Sequence, residues 1–153
     1  MSYRKTIAKP LSYLAKPWRV KKKGIRYERE LIKLLWDSGF AAVRVAGSGV
    51  SIFPSPDIVA GDGKRFLAFE VKSRKGLPLY ISKEEVKQLI MFSNLFGAEA
   101  YIALKLPNSP WRFFAINSLR ETEKGFVVDE AAYASGADIY EVTGKSRQLR
   151  LEW

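Results

Sequence analysis

Residues 56–72 read Pro56-Asp57-Ile58-Val59-Ala60-Gly61-Asp62-Gly63-Lys64-Arg65-Phe66-Leu67-Ala68-Phe69-Glu70-Val71-Lys72. Two apolar runs, 57–60 and 65–72, flank Gly61-Asp62-Gly63, which signals two strands joined in a hairpin. Side chains alternate along a strand, so Leu67, Phe69 and Val71 form one apolar face while Ala68, Glu70 and Lys72 share the other. With Asp62-Gly63 as a two-residue loop, Asp57 lies opposite Ala68 and diagonal to Glu70, about 7–8 Å away or somewhat less. Two carboxylates at that spacing can grip one hard cation, with Lys72 on the same face. A three-residue loop breaks this alignment unless a bulge restores it. A half-exposed strand carrying a surface ion pair is the plainer alternative.

The segments on either side supply the rest of the fold. Residues 25–38 read as a helix stopped by Gly39, with Ile25, Leu31, Ile32, Leu35 and Trp36 on one side. At 100° per residue from Ile25, Glu28 falls at about 300°, inside the apolar stripe. A carboxylate on a buried face is costly unless it is paired or binds a metal. Glu28 therefore either faces the sheet as a third carboxylate or pairs with a core-edge base such as Lys72. Glu30 points away, and Arg29 sits at the stripe's edge. A short strand follows at 40–45, then a loop over 46–56.

Beyond Lys72, Ser82-Lys83-Glu84-Glu85 is a capping box opening a second helix through Phe96, closed by Gly97. Strands follow at 99–106 and 111–116. Residues 126–128 read as extended and 129–133 as a short helix. The order predicts an α/β domain with a mixed central β-sheet of about five strands flanked by helices. Trp111, Phe113, Phe114, Tyr101 and Phe126 are expected in the core or a dimer interface. Three parts are expected: a basic N-terminal arm over 1–23, a core over 24–120, and a C-terminal segment over 121–153 packed on the core or extending from it.

Composition narrows the chemistry. The 153 residues include no Cys and no His, which excludes disulfides, thiolate chemistry, His-metal sites and imidazole acid–base catalysis. The net charge of +10 points to a polyanionic partner, with nucleic acid first. That charge is uneven: residues 1–30 carry +8, residues 31–120 carry +5 and residues 121–153 carry −3. No apolar run reaches the roughly 18 residues of a membrane span, and the first residues lack the apolar core of a secretory signal. The expected setting is cytoplasmic and nucleoid-associated, or the host cytoplasm for a viral protein. The arm either holds DNA or is a solvated tail.

Pro56-Asp57 with Glu70-Val71-Lys72 looks like the PD-(D/E)xK nuclease motif. Lys23-Gly24, Glu28-Arg29-Glu30-Leu31 and Val45-Ala46-Gly47-Ser48-Gly49 are similar to the archaeal-type Holliday junction resolvases (Hjc-like). The resemblance runs through Phe92-Ser93, Phe96-Gly97 and Trp111-Arg112-Phe113, covering residues 22–116. The arm is longer than the family pattern, and residues 51–56 lengthen the loop before Asp57.

The resemblance implies a restriction-endonuclease-like core and a homodimer that cuts four-way DNA junctions with Mg²⁺, for which Mn²⁺ can substitute. By position it makes Glu28, Asp57 and Glu70 metal ligands and Lys72 the catalytic lysine, with functional roles for Arg29 and Ser48. Lys21, Lys22, Lys23, Arg26, Arg44, Arg74, Lys75, Lys83 and Lys87 are candidate phosphate contacts, which grip DNA without reading sequence. No helix–turn–helix or zinc finger is visible, so selectivity for DNA structure is expected. Residues 148–153 faintly resemble a truncated sliding-clamp-binding peptide. Two other functions fit the same residues: a restriction-like, nicking or repair nuclease of this superfamily, and a DNA-binding module without catalysis.

Overall fold

The computed structural model describes residues 22–47 and 52–145, with side chains from residue 24 onward. Helix α1 (Lys22–Asp37) buries Leu31 and Leu35 completely, and Gly39 takes the left-handed conformation (φ 85°) that turns the chain into strand β1 (Ala41–Arg44). Its buried face is wider than the predicted stripe on one side and narrower on the other. Tyr27 and Leu34 pack against the core, whereas Trp36 is exposed and donates its indole N–H to the Ala42 carbonyl.

Strands β2 (Ile58–Gly61) and β3 (Phe66–Ser73) form the predicted hairpin, but in another register. Val59, not Asp57, faces Ala68. The turn tip lies one place further along, at Gly63 and Lys64, because the Asp62 carboxylate accepts the N–H groups of Lys64 and Arg65 and closes the turn there. Ile58 faces Phe69, and the Asp57 N–H also donates to the Phe69 carbonyl. Two residues of one strand thus stand against one of the other, the arrangement of a β-bulge.

Strand β4 (Leu79–Ser82) leads directly into α2 (Lys83–Phe96), and β5 (Glu99–Lys105) and β6 (Arg112–Ala115) follow. The central sheet runs β1-β2-β3-β5-β6, with β3 and β5 parallel and the other pairs antiparallel. This is the mixed five-stranded sheet that the sequence predicts. A second sheet was not predicted: β4 pairs with β8 (Gly125–Val128), which pairs with β7 (Arg120–Thr122). Two short helices, α3 (Glu130–Ala134) and α4 (Ile139–Thr143), complete the described chain.

One core lies under α1 and α4, where Leu31, Leu35, Phe40, Ile58, Leu67, Phe69, Phe113 and Val142 meet. The other lies under α2 and the second sheet, with Leu79, Ile81, Val86, Leu89, Ile102, Leu104 and Phe114. Ala68 belongs to this second core, so the Glu70 face of β3 is not the half-exposed surface of the plainer expectation. Truncating Leu31 or Phe69 to Ala would cost about 2–5 kcal/mol. Trp111, Phe113 and Phe114 are buried, as expected of core aromatics. No described helix is long and apolar enough to cross a membrane.

Candidate active site

Asp57 stands at the mouth of the β2–β3 hairpin. Its Oδ2 atom accepts the Val71 N–H at 2.8 Å, which ties its side chain to the stretch of β3 between Glu70 and Lys72. Lys72 Nζ lies 3.8 Å from Glu70 Oε1 and makes a shorter ion pair with Glu85 Oε1. All three side chains are four-fifths or more buried. Parallel pairing with β5 places Glu70 beside Ile102 and Lys72 beside Leu104, and the apolar flank limits screening of these charges.

Glu28 approaches this group from α1. Its side chain is only 15% exposed and lies 3.6 Å from the Arg44 guanidinium. Burial is the main cause that raises its carboxyl above the ordinary carboxylate range, repulsion from Asp57 adds to it, and Arg44 partly offsets both. The partner of Glu28 in the protein is thus Arg44 rather than Lys72. Glu30 is exposed, as its helical phase predicts, but it is tethered at the edge of the buried face. It accepts the Trp111 indole N–H at 3.0 Å and lies 3.5 Å from Lys105. These contacts arise because Tyr27 and Leu34 widen the buried stripe toward the Glu30 side.

Glu28 and Asp57 are neighbours, and Asp57 is fastened between Glu70 and Lys72. Among the described residues, however, no three acidic side chains close into one cluster around an ion position. The donor set still suits a hard cation. Burial and repulsion from Asp57 disfavour the ionised form of Glu28, which a cation beside the pair would relieve, and Mg²⁺ completes its coordination with water and substrate phosphate oxygens rather than a full protein cage.

The predicted DNA contacts divide by position. Arg26, Arg29, Arg74, Lys75 and Lys87 are exposed. Lys83 is 3.7 Å from Glu121 and faces the second sheet, and Arg44 is engaged by Glu28. Lys22 and Lys23 lie in the first turn of α1. Ser48, Lys21, the rest of the arm and residues 148–153, with the clamp-like peptide, lie outside the described residues. Glu85 was missed as a site residue: its capping box was visible in the sequence, but its reach to Lys72 depends on the crossover from β3 through β4.

Residues 19–151 match the family model described as archaeal Holliday junction resolvase (hjc). The chain belongs to the archaeal Holliday junction resolvase family. The match extends past residue 116, where the resemblance read from the sequence stopped, through the second sheet and the last helices. A crossover junction endodeoxyribonuclease Hjc of Archaeoglobus fulgidus is 60% identical over 131 residues, covering 86% of this chain and 96% of that protein. The Methanocaldococcus jannaschii protein of the same name is 39% identical over 132 residues, covering 86% of this chain and 94% of the relative. The crystal structure of A. fulgidus Hjc, described as a Holliday junction resolvase from an archaeal hyperthermophile, superposes with a TM-score of 0.77 at 57% identity. It covers 82% of this chain and 98% of that one. Membership in this resolvase family implies a nuclease that depends on a divalent metal.

Proposed function

We propose that this chain is a structure-selective endonuclease that resolves four-way DNA junctions by hydrolysing paired phosphodiesters, with Mg²⁺ as the metal and Mn²⁺ able to replace it. The observation that carries this reading is the fastening of Asp57 to β3 between Glu70 and Lys72, with Glu28 brought up from α1. The relatives named as crossover junction endodeoxyribonucleases share this chain over nearly their whole length.

Asp57 and Glu70 would hold the metal, with Glu28 adding negative charge beside Asp57. When bound, the ion supplies charge neutralisation at the scissile phosphate and a more acidic water. Lys72 presents its ammonium to the reacting phosphate and offsets charge that develops in the transition state. With no His in the chain, the attacking water's proton passes to solvent or to a substrate phosphate oxygen. Arg29, Arg26, Arg74, Lys75 and Lys87 grip the flanking phosphates, joined by Lys21, Lys22, Lys23 and the basic arm. Ser48, nine residues before Asp57 in the chain, contributes to the cut.

The active form is a homodimer, because a four-way junction offers two equivalent scissile phosphates and a twofold pair presents two equivalent sites. An uncovered apolar surface supports this. Val43 pairs with Val59 and Val59 with Ala68 across the sheet, with Ala68 buried, Val59 partly buried and Val43 exposed. Val43, Phe66 and Phe96 are 59%, 43% and 50% exposed around this row. Phe66 and Phe96 meet edge to face. A second copy would cover this surface. The setting is the cytoplasm, on nucleoid DNA. Competition between a labelled four-way junction and a duplex of equal length tests the substrate class: binding that duplex displaces equally would contradict junction selectivity.

A further inference from the structure

The capping box at the start of α2 has an unusual division of labour. Glu85 Oε2 accepts both the Ser82 N–H and the Ser82 hydroxyl at 3.0 Å, and Ser82 Oγ accepts the Glu85 N–H at 3.1 Å. A cap of this kind is satisfied by one side-chain oxygen, so Gln serves as well as Glu. Here the second oxygen, Oε1, is given to the Lys72 ammonium. One carboxylate thus joins the helix terminus to the lysine of the motif.

We infer that Glu85 is the positioning residue for Lys72, holding its ammonium at the start of α2 and away from Glu70. The inference rests on the nuclease reading above. Lys72 has a long, flexible stem, and its position is not set by β3 alone. Glu70 competes for the same ammonium at 3.8 Å, and a lysine drawn fully onto Glu70 would occupy the carboxylate proposed for the metal. Glu85 wins because the Ser82 backbone N–H, which no side-chain substitution removes, holds one of its oxygens, and the buried Val86 and Leu89 anchor its helix. An amide cannot replace it. Gln has one acceptor oxygen, so either the cap or the lysine is abandoned, and its NH₂ would then face another donor.

The test is single-turnover cutting of a four-way junction across a Mg²⁺ titration, with junction binding in Ca²⁺ and thermal midpoints measured on the same proteins. Glu85→Gln keeps a cap acceptor. It is expected to slow cutting at saturating Mg²⁺ at least tenfold and to raise the half-saturating Mg²⁺ concentration at least threefold, with binding within twofold of wild type. Ser82→Ala removes the hydroxyl cap but leaves Glu85 facing Lys72. It is expected to lower the thermal midpoint at least as much, yet to keep cutting within threefold and the Mg²⁺ midpoint unchanged. Glu84→Gln, an exposed neighbour in the same turn, controls for lost negative charge and should match wild type. If Glu85→Gln and Ser82→Ala cut alike and respond alike to Mg²⁺, Glu85 is a helix cap only and the inference is overturned. A wild-type protein that leaves the junction intact would instead overturn the nuclease reading, and this inference with it.

Discussion

Asp57 Oδ2 accepts the backbone N–H of Val71 at 2.8 Å, so the first carboxylate of the motif is fastened to the strand that carries the other two members. The hydrogen bond holds where the β-bulge at Asp57 and Ile58 interrupts regular pairing. The side chain therefore replaces a lost ladder contact and fixes the site in one step.

Asp57→Asn retains an acceptor for Val71 and removes the charge. It is expected to abolish cutting, keep the fold and bind junction DNA as tightly as wild type or more tightly, since one negative charge near the phosphates is gone. Asp57→Ala also abandons the Val71 N–H and should cost about 1–2 kcal/mol in denaturant unfolding. Gel shifts in Ca²⁺ check the binding half. An Asp57→Asn variant that folds but fails to bind would reassign Asp57 from metal to DNA.

Glu28→Gln and Glu30→Gln should separate in opposite directions. Glu28 lies against Asp57, so its substitution is expected to stop cutting. Glu30 serves Trp111 and Lys105, and Gln still accepts the indole N–H. Its substitution is expected to leave cutting nearly intact and to cost less than about 1 kcal/mol of stability, because the Lys105 pair is partly exposed. Equal losses of activity in the two variants would contradict their different placement.

The raised carboxyl of Glu28 makes a stability prediction with a definite sign. Burial first and Asp57 second disfavour its ionised form in the folded chain. Whatever stability this group contributes is fully present below the ordinary carboxylate range and is lost as pH rises through the raised value. In metal-free buffer near pH 7–8, Glu28→Gln should therefore melt above wild type, and the gap should close toward about pH 4. Differential scanning calorimetry in EDTA checks this. A variant that melts below wild type at neutral pH would mean that the Arg44 pair outweighs burial.

The arm makes an independent prediction. Residues 1–23 carry eight Lys or Arg and no acidic residue, and the last two of them open α1, six and five residues before Glu28. Each DNA phosphate neutralised adds about 0.9 to the salt slope of log K on duplex DNA. If three or four arm charges engage, deleting residues 1–20 should lower that slope by about 2–3 while single-turnover cutting at saturating enzyme stays within a few-fold. Titrations at several salt concentrations read it out, and an unchanged slope would mean that the arm does not hold DNA.

The proposed dimer face can be tested by charge. Val43→Glu with Phe66→Glu places carboxylates on the uncovered row and should convert a dimer to a folded monomer by sedimentation, with two-sided resolution lost. A wild-type monomer at micromolar concentration, or a double variant that stays dimeric, would remove the proposed role of this surface.

The parts of the fold legible in the sequence were those written locally. The α2 capping box, the Gly97 stop and the alternation along β3 each depend on neighbours a few residues apart, and all were found. The hairpin register was not, because Asp62 caps its own turn and moves the tip by one place, which shifts every pair by two. Strand β4 shows the alternation Leu79-Tyr80-Ile81-Ser82, buried then exposed, but four residues between Pro78 and the helix cap are too short a run to signal a strand. At the site, helical phase brought out Glu28, whereas Arg44 as its partner and Glu85 as that of Lys72 are products of tertiary packing.

The central claim meets its most direct test on a denaturing gel. An end-labelled four-way junction is incubated with wild type and with Glu70→Gln, each with Mg²⁺ and with EDTA. The predicted result is paired cuts at symmetry-related phosphates by wild type in Mg²⁺ alone, with intact strands in the other three lanes. Intact strands in all four lanes, or equal cutting by Glu70→Gln, would contradict it.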